Sequence, residues 1–126
     1  MAIVLDAMGT DDYPGAEIQA AVTAAGLYGE EILLVGSQAL LKDRLAAANP
    51  RGLPVRLVDA PDVLEMHEKP VEAARKKPRN SMAVGLELVK SGEARAFISA
   101  GNTGGIMFNA LRVLGRIQGV QRPAIT

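Results

Sequence analysis

The chain has 126 residues, of which 48% are hydrophobic and 3% aromatic, and this composition fits one small domain with an aliphatic core. It contains no cysteine and one histidine, which excludes disulfides, thiolate chemistry and a metal site with several histidine ligands. Fourteen basic and fourteen acidic residues give a net charge of zero, and the scarcity of aromatic side chains argues against a nucleic-acid partner.

The charges are unevenly distributed along the chain. The first 41 residues contain six acids and no base, whereas four arginines and no acid follow Glu93. This distribution favours an anionic ligand in the C-terminal half. No apolar run reaches the roughly 18 residues of a membrane-spanning helix, and the first residues form a strand-like run without the basic start of a secretory signal. We therefore expect a cytoplasmic protein.

Strands and helices are predicted to alternate. Buried parallel strands consist of continuous aliphatic residues, and such runs predict strands at 2–5, 31–36, 55–60 and 94–100. Apolar residues at helical spacing predict helices at 16–28, 38–48, 81–90 and 105–117. The spacing in the last helix predicts a buried face made of Met107, Ala110, Leu111 and Leu114. The alternation indicates an α/β fold with a doubly wound, mainly parallel sheet, helices on both faces and right-handed crossovers.

The segment Asp6-Ala7-Met8-Gly9 follows the first predicted strand. Asp6 is therefore expected at the carboxyl end of a parallel strand, where open α/β sheets bind their ligands. A single aspartate in this place can also simply cap a turn. The position favours a functional role, and both interpretations stay open.

A second candidate site is the turn Ser99-Ala100-Gly101-Asn102-Thr103-Gly104-Gly105, between the fourth predicted strand and the last helix. Glycines let the backbone approach a ligand closely, and the first N–H groups of a helix attract anions. Ser99, Asn102 and Thr103 add side-chain donors, so we interpret the turn as a phosphate-binding site. The alternative is a plain turn in which Asn102 or Thr103 caps the helix. The segment matches neither the Walker loop nor the dinucleotide motif G-x-G-x-x-G.

Residues 61–81 interrupt the alternation of strands and helices. From 69 to 79 the net charge is +4, because Glu72 is outnumbered by five bases: Lys69, Arg75, Lys76, Lys77 and Arg79. One interpretation is a mobile basic flap that meets an anionic substrate or an acidic partner. The other is a solvated helix end, which is commoner for such runs of charge.

Four segments resemble, in order, motifs of the bacterial acyl-carrier-protein:phosphate acyltransferases of phospholipid synthesis. They are Asp6-Ala7-Met8-Gly9, the stretch from Arg75-Lys76-Lys77 to Ser81-Met82, Ala100-Gly101-Asn102-Thr103-Gly104, and Gly119-Val120-Gln121-Arg122-Pro123-Ala124. The resemblance extends over the whole chain, although members of that family are much longer. Thr10 stands where the family usually has a second glycine, and Pro78-Arg79 lengthens the basic segment.

The resemblance implies a Rossmann-like enzyme, similar in fold to phosphotransacetylase and isopropylmalate dehydrogenase, with residues 1–126 as the N-terminal part of a single α/β catalytic domain. It implies a homodimer that transfers a fatty acyl group from acyl carrier protein to inorganic phosphate, without a cofactor or a metal. The acyl phosphate would pass to glycerol-3-phosphate acyltransferase, with peripheral contact at the inner face of the membrane through parts outside this chain. Asp6 and Asn102 would be catalytic. Phosphate or substrate would be bound by Gly9, Lys76, Ser81, Ser99, Gly101, Asn102, Thr103 and Gly104.

Two alternatives of other classes stay open. A nucleotide- or NAD-binding module would carry an acidic residue after its second strand, where this chain has Val35-Gly36-Ser37. The other alternative is a truncated fragment or scaffold, and we expect the 126 residues to be inactive alone.

Overall fold

The computed structural model describes residues 2–124, in which strands and helices alternate as predicted. The strands are β1 (Ala2–Asp6), β2 (Ile32–Gly36), β3 (Val55–Asp59) and β4 (Ala94–Ile98). The helices are α1 (Gly15–Tyr28), α2 (Gln38–Ala48), α3 (Pro70–Lys76), α4 (Ser81–Lys90) and α5 (Thr103–Val113). The short helix α3 lies inside the basic segment, which the sequence predicted to be partly helical without giving the helix bounds.

The four strands form one parallel sheet in the order β3-β2-β1-β4. All five residues of β2 are buried, because this strand lies inside the sheet and is covered on both faces. In β1 the buried residues alternate, with Ala2, Val4 and Asp6 buried and the residues between them partly exposed. The predicted doubly wound α/β fold, with helices on both faces, is confirmed.

Two apolar layers cover the two faces of the sheet. On one face Ile32 and Leu34 pack with Ile18 of α1 and Leu41 of α2. On the other face Ala2 and Val4 of β1 pack with Leu33, Val35 and the partly buried side chains of α4. Because α1 and α2 lie on one face and α4 on the other, the crossover that leads to β4 returns over the opposite side of the sheet.

Helix α5 packs against α3 and α4 through a face that the sequence did not predict. The buried residues are Gly105, Asn109 and Val113, whereas Leu111 and Leu114 are 39% and 47% exposed. The predicted apolar face was therefore wrong. Asn109 can be buried because its amide Nδ2 donates to the carbonyl of Gly105 at 2.8 Å, so a polar residue is accommodated in the helix contact.

Two predicted boundaries were also wrong. Strand β4 ends at Ile98, two residues before the predicted end. Helix α5 ends at Val113 because Gly115 adopts the left-handed conformation, with φ of 76°, and a helix commonly ends before such a residue. The sequence of residues 122–126 also predicts the approach to another strand; residues 122–124 form no strand, and 125–126 lie outside the described residues. Within 2–124, no helix has the length and apolarity needed to cross a membrane.

Candidate functional site

The predicted site segments meet where the strand order reverses. From β1 the chain moves to β2 and β3, and it then returns to place β4 on the other side of β1. Ligands of open α/β sheets bind in the crevice at the carboxyl ends of the strands at such a switch point. Here the crevice lies between the loop after Asp6 and the turn after Ile98.

The two segments touch each other through their backbones. A Cβ atom added to Gly9 would lie 2.9 Å from the backbone nitrogen of Gly101 and 3.2 Å from that of Ala100. Real Cβ atoms do not approach backbone so closely, so the contact requires glycine at position 9. Gly101 is less confined, because a Cβ atom there would lie 2.8 Å from the methyl group of the flexible Met82 side chain and 3.3 Å from the Gly9 Cα atom.

Asp6 connects the loop after β1 to the glycine turn before α5 through hydrogen bonds. Its carboxylate is 1% exposed; one oxygen accepts from the Met8 N–H at 2.9 Å and the other from the Ser99 hydroxyl at 2.6 Å. The Ser99 oxygen in turn accepts from the Gly101 N–H at 3.1 Å. Asp6 therefore fixes Ser99, and Ser99 fixes the glycine turn, across a separation of 93 residues along the chain.

The Asp6 carboxyl group has a perturbed affinity for protons. Burial raises the pKa of Asp6, and hydrogen bonds from Ser81, Ser99 and the Met8 N–H lower it in part. The charge of Glu17 raises it further. Ser81 is the buried first residue of α4, so the structure brings a third chain segment to the same carboxylate.

The first turn of α5 presents unpaired donors. Asn102 is its N-cap, and the Asn102 Oδ1 atom accepts from the Gly105 N–H at 3.0 Å. Within residues 2–124, the N–H groups of Asn102, Thr103 and Gly104 have no acceptor in the protein. We call these three N–H groups the cradle. Together with the partial positive charge of the helix start, they suit an anion.

The Asn102 side chain itself faces away from the cradle. Its Nδ2 atom lies 3.3, 3.5 and 3.2 Å from the carbonyl oxygens of Glu65, Met66 and Glu68. These residues belong to a segment, 63–70, that we call the strap. The strap follows β3 and contains the first residue of α3. The predicted side-chain donor is thus engaged within the protein, while Thr103 is exposed beside the cradle.

The strap also packs on the glycines of α5. A Cβ atom at Gly104 would lie 2.6 Å from the Pro70 side chain, and one at Gly105 would lie 3.3 Å from that of Leu64. Beside this contact, a cleft of about 410 Å³ is lined by Val71, Thr103, Gly104, Met107, Phe108 and Leu111. The cleft places apolar walls next to two of the three cradle residues.

One positive charge of the basic segment, residues 69–79, is paired within the protein. The Lys77 ammonium donates to the carboxylate of Glu68 at 2.7 and 2.9 Å and to the carbonyl of Val63 at 2.6 Å. The ammonium lowers the pKa of Glu68, mainly through its hydrogen bond. Lys76 is exposed on α3, and no hydrogen bond or ion pair of the described residues connects it to the cradle.

The sequence analysis missed two features of the site. One is the strap, whose contacts link residues more than 30 positions apart and leave no local signal. The other is Glu17, which is 5% exposed and whose carboxylate accepts from the Thr10 N–H at 2.9 Å. An acid in the first turn of a helix was the available signal for Glu17, but its partner in the loop was not predictable.

Comparison with known proteins identifies relatives that share one name. The chain is 46% identical over 125 residues to the phosphate acyltransferase of Herpetosiphon aurantiacus, a match that covers 99% of this chain and 34% of that protein. It is 49% identical over 124 residues to the phosphate acyltransferase of Anaeromyxobacter sp. (strain Fw109-5), with 98% and 34% covered. The phosphate acyltransferase of Geobacter sulfurreducens is 43% identical over 125 residues, with 99% and 36% covered.

The chain thus spans about a third of the length of these relatives. The model of the family described as "fatty acid synthesis protein" matches residues 1–126. The chain therefore belongs to the fatty acid synthesis protein family, and its relatives there are named phosphate acyltransferases.

Proposed function

We propose that the full-length protein transfers a fatty acyl group from acyl carrier protein to inorganic phosphate, forming acyl phosphate for phospholipid synthesis. One observation carries this proposal: two glycine turns in backbone contact at the switch point, beside three unpaired N–H groups at the start of α5. The names of the relatives support the acyl and phosphate parts of the reaction.

The chemistry requires positioning more than an activated side chain. Phosphate is already an oxygen nucleophile near neutral pH, so the protein must hold it against the thioester carbonyl and stabilise the oxyanion that forms. A phosphate oxygen forms the new bond to the carbonyl carbon, the carbon–sulfur bond breaks, and the thiol of the carrier leaves with a proton. The cradle would hold the phosphate, with Thr103 as a side-chain donor.

Asp6, Ser81 and Ser99 have a supporting role in this proposal. The hydrogen bonds from the Ser99 hydroxyl to Asp6 and from the Gly101 N–H to Ser99 fix the loop and the turn relative to each other, so the cradle is preorganised before phosphate binds. Ser81 lies beside the same carboxylate and lowers its pKa. Asp6 acts in this scheme by orienting Ser99. Gly9 contributes the close approach of the two backbones.

The partners and location are part of the same proposal. The exposed bases of the 69–79 segment, Lys76 among them, would attract the acidic carrier protein. The protein would act as a cytoplasmic homodimer at the inner face of the membrane and hand its product to glycerol-3-phosphate acyltransferase. Parts of the family's chain outside these residues would make the membrane contact.

The test is to incubate the full-length native protein with acyl carrier protein loaded with a long acyl chain and with inorganic phosphate. We expect ³¹P NMR to detect an acyl phosphate in amounts that depend on phosphate. In a parallel sample, hydroxylamine should convert this product to the acyl hydroxamate and release phosphate. A matched reaction with NAD in place of phosphate is the control. Release of free fatty acid without acyl phosphate, or a response to NAD alone, would contradict the proposal.

A further inference from the structure

The strap is held on α5 by one side-chain amide. Nδ2 of Asn102 has two hydrogens, and three strap carbonyls converge on it at 3.2 to 3.5 Å. Oδ1 of the same side chain caps α5. The opposite orientation of the amide would direct its oxygen at the three carbonyls and its hydrogens at an N–H group, so the network determines the orientation.

The same residue belongs to the cradle through its backbone. The Asn102 N–H has no acceptor in the described residues, and the residue is buried, with 8% of its surface exposed. A movement of residue 102 that improved its contact with an anion would therefore also move the amide that holds the strap. Pro70 and Leu64 pack on the next two glycines, so the strap cannot shift without changing the first turn of α5.

We infer that Asn102 is a positioning residue that couples the strap to the cradle, so that phosphate at the cradle strengthens the docking of the strap and a docked strap strengthens phosphate binding. Coupling of this kind is reciprocal by thermodynamic necessity. The phosphate part of the inference rests on the proposed function, whereas the docking of the strap by Asn102 does not.

Two backbone amides of the strap report its docking. The Glu65 N–H donates to the Glu68 carboxylate at 2.9 Å, and the Glu68 N–H donates to the carbonyl of Glu65 at 3.2 Å. The same Glu65 carbonyl accepts from Asn102. Both amides should therefore exchange slowly with solvent only while the strap is docked.

The experiment is residue-resolved hydrogen exchange of the full-length native protein and its variants, with and without inorganic phosphate. Asn102→Ser keeps a capping oxygen and adds no charge, but its side chain is too short to reach the strap. The matched control is Asn80→Ser, because Asn80 caps α4 and donates to Lys77, three residues away.

We expect Asn102→Ser to speed exchange at Glu65 and Glu68 about ten-fold, which corresponds to ~1.4 kcal/mol, while Asn80→Ser leaves these two amides within about two-fold of wild type. Phosphate should slow exchange there in wild type and in Asn80→Ser but not in Asn102→Ser. Unchanged exchange in Asn102→Ser would overturn the docking of the strap by Asn102. Phosphate that shifts the cradle resonances without slowing the strap in wild type would overturn the coupling. If phosphate shifts no resonance at 102–104, the proposed function fails, and the phosphate-free exchange rates still decide whether Asn102 holds the strap.

Discussion

Helices α4 and α5 begin in the same way and are used differently. Each has an asparagine N-cap whose Oδ1 accepts from the backbone three residues later, Asn80 from Ala83 at 2.9 Å and Asn102 from Gly105 at 3.0 Å. The Asn80 amide donates to Lys77, only three residues earlier. The Asn102 amide donates to carbonyls 34 to 37 residues away.

The Asn80 cap bonds only to neighbouring residues in the sequence, whereas the Asn102 cap also makes a tertiary contact. A cap closed within its own turn stabilises one helix, and its effect is confined to that helix. A cap whose second hydrogen-bonding group reaches a distant segment also fixes the position of that segment. The start of α5, which has this second kind of cap, also presents its free N–H groups at the switch point.

Gly9→Val should have the largest effect, and it should disturb the turn before α5 rather than the start of α4. The new side chain would meet backbone atoms of Ala100 and Gly101 at 2.9 to 3.3 Å, which cannot move aside cheaply. We expect a loss of at least about 3 kcal/mol in the free energy of unfolding, measured by urea denaturation. Gly15→Val is the control, because a Cβ atom at Gly15 meets nothing within 4 Å. Equal losses in the two variants would mean that the backbone contact is not what destabilises Gly9→Val.

Truncating the two caps compares them directly. Asn80→Ala removes one cap and one local bond, at a cost of about 1 to 1.5 kcal/mol. Asn102→Ala removes a cap and the partly buried hydrogen bonds of Nδ2 to the strap carbonyls, at about 2 to 3 kcal/mol. Urea denaturation of both variants measures the difference. If Asn80→Ala proves as costly as Asn102→Ala, the tertiary bonds of Asn102 add nothing to stability.

Lys77 connects the two caps, because its carbonyl accepts from Asn80 and its ammonium pairs with Glu68 of the strap. Lys77→Met should cost about 1 kcal/mol at neutral pH, as expected for a partly exposed ion pair. Since the lysine lowers the pKa of Glu68 from its ordinary value of 4.5, the contribution of the pair is present above that pH and is lost as the pH falls below it. Urea denaturation of wild type and variant from pH 7 to pH 3 should show the two stabilities converging at the acid end. A difference that stays constant with pH would show that Lys77 acts through packing alone.

Tyr13→Phe should have the smallest effect. The Tyr13 hydroxyl donates to the Glu65 carboxylate at 3.0 Å and so attaches the strap to the loop after β1. We expect a loss of about 0.5 to 1 kcal/mol, the net contribution of one partly buried hydrogen bond. Spectroscopic titration should also show that wild-type Tyr13 ionises above the usual pKa of 10.0, because burial and Glu65 both raise it. Ionisation at the usual value would mean that the bond is absent in solution.

The sequence predicted those parts of the fold that depend on local pattern. Continuous aliphatic runs located the four strands, and Asn80 and Asn102 were recognisable as caps because capping is a property of neighbouring residues. The meeting of Asp6 with the glycine turn was also predictable, since carboxyl ends of parallel strands lie at one edge of the sheet.

The remaining features depend on contacts between distant segments. Nothing near Asn102 in the sequence indicates that its amide collects carbonyls from the strap, and nothing near Lys77 indicates its pairing with Glu68. The face of α5 was mispredicted for a related reason. Apolarity alone selected Leu111 and Leu114, whereas the helix contact is made by small Gly105 and by Asn109, whose Nδ2 donates to the Gly105 carbonyl.

We propose that phosphate binds at the start of α5. A titration of the ¹⁵N-labelled full-length native protein with phosphate, monitored by NMR, tests this binding site. The account predicts that the largest saturable shifts occur at the amides of Asn102, Thr103 and Gly104, because these N–H groups have no acceptor in the described residues. The start of α2 is the internal control, since Asp59 already occupies its Gln38 N–H at 3.0 Å. Saturable shifts at the start of α2 or elsewhere, with the three amides of α5 unchanged, would contradict the claim.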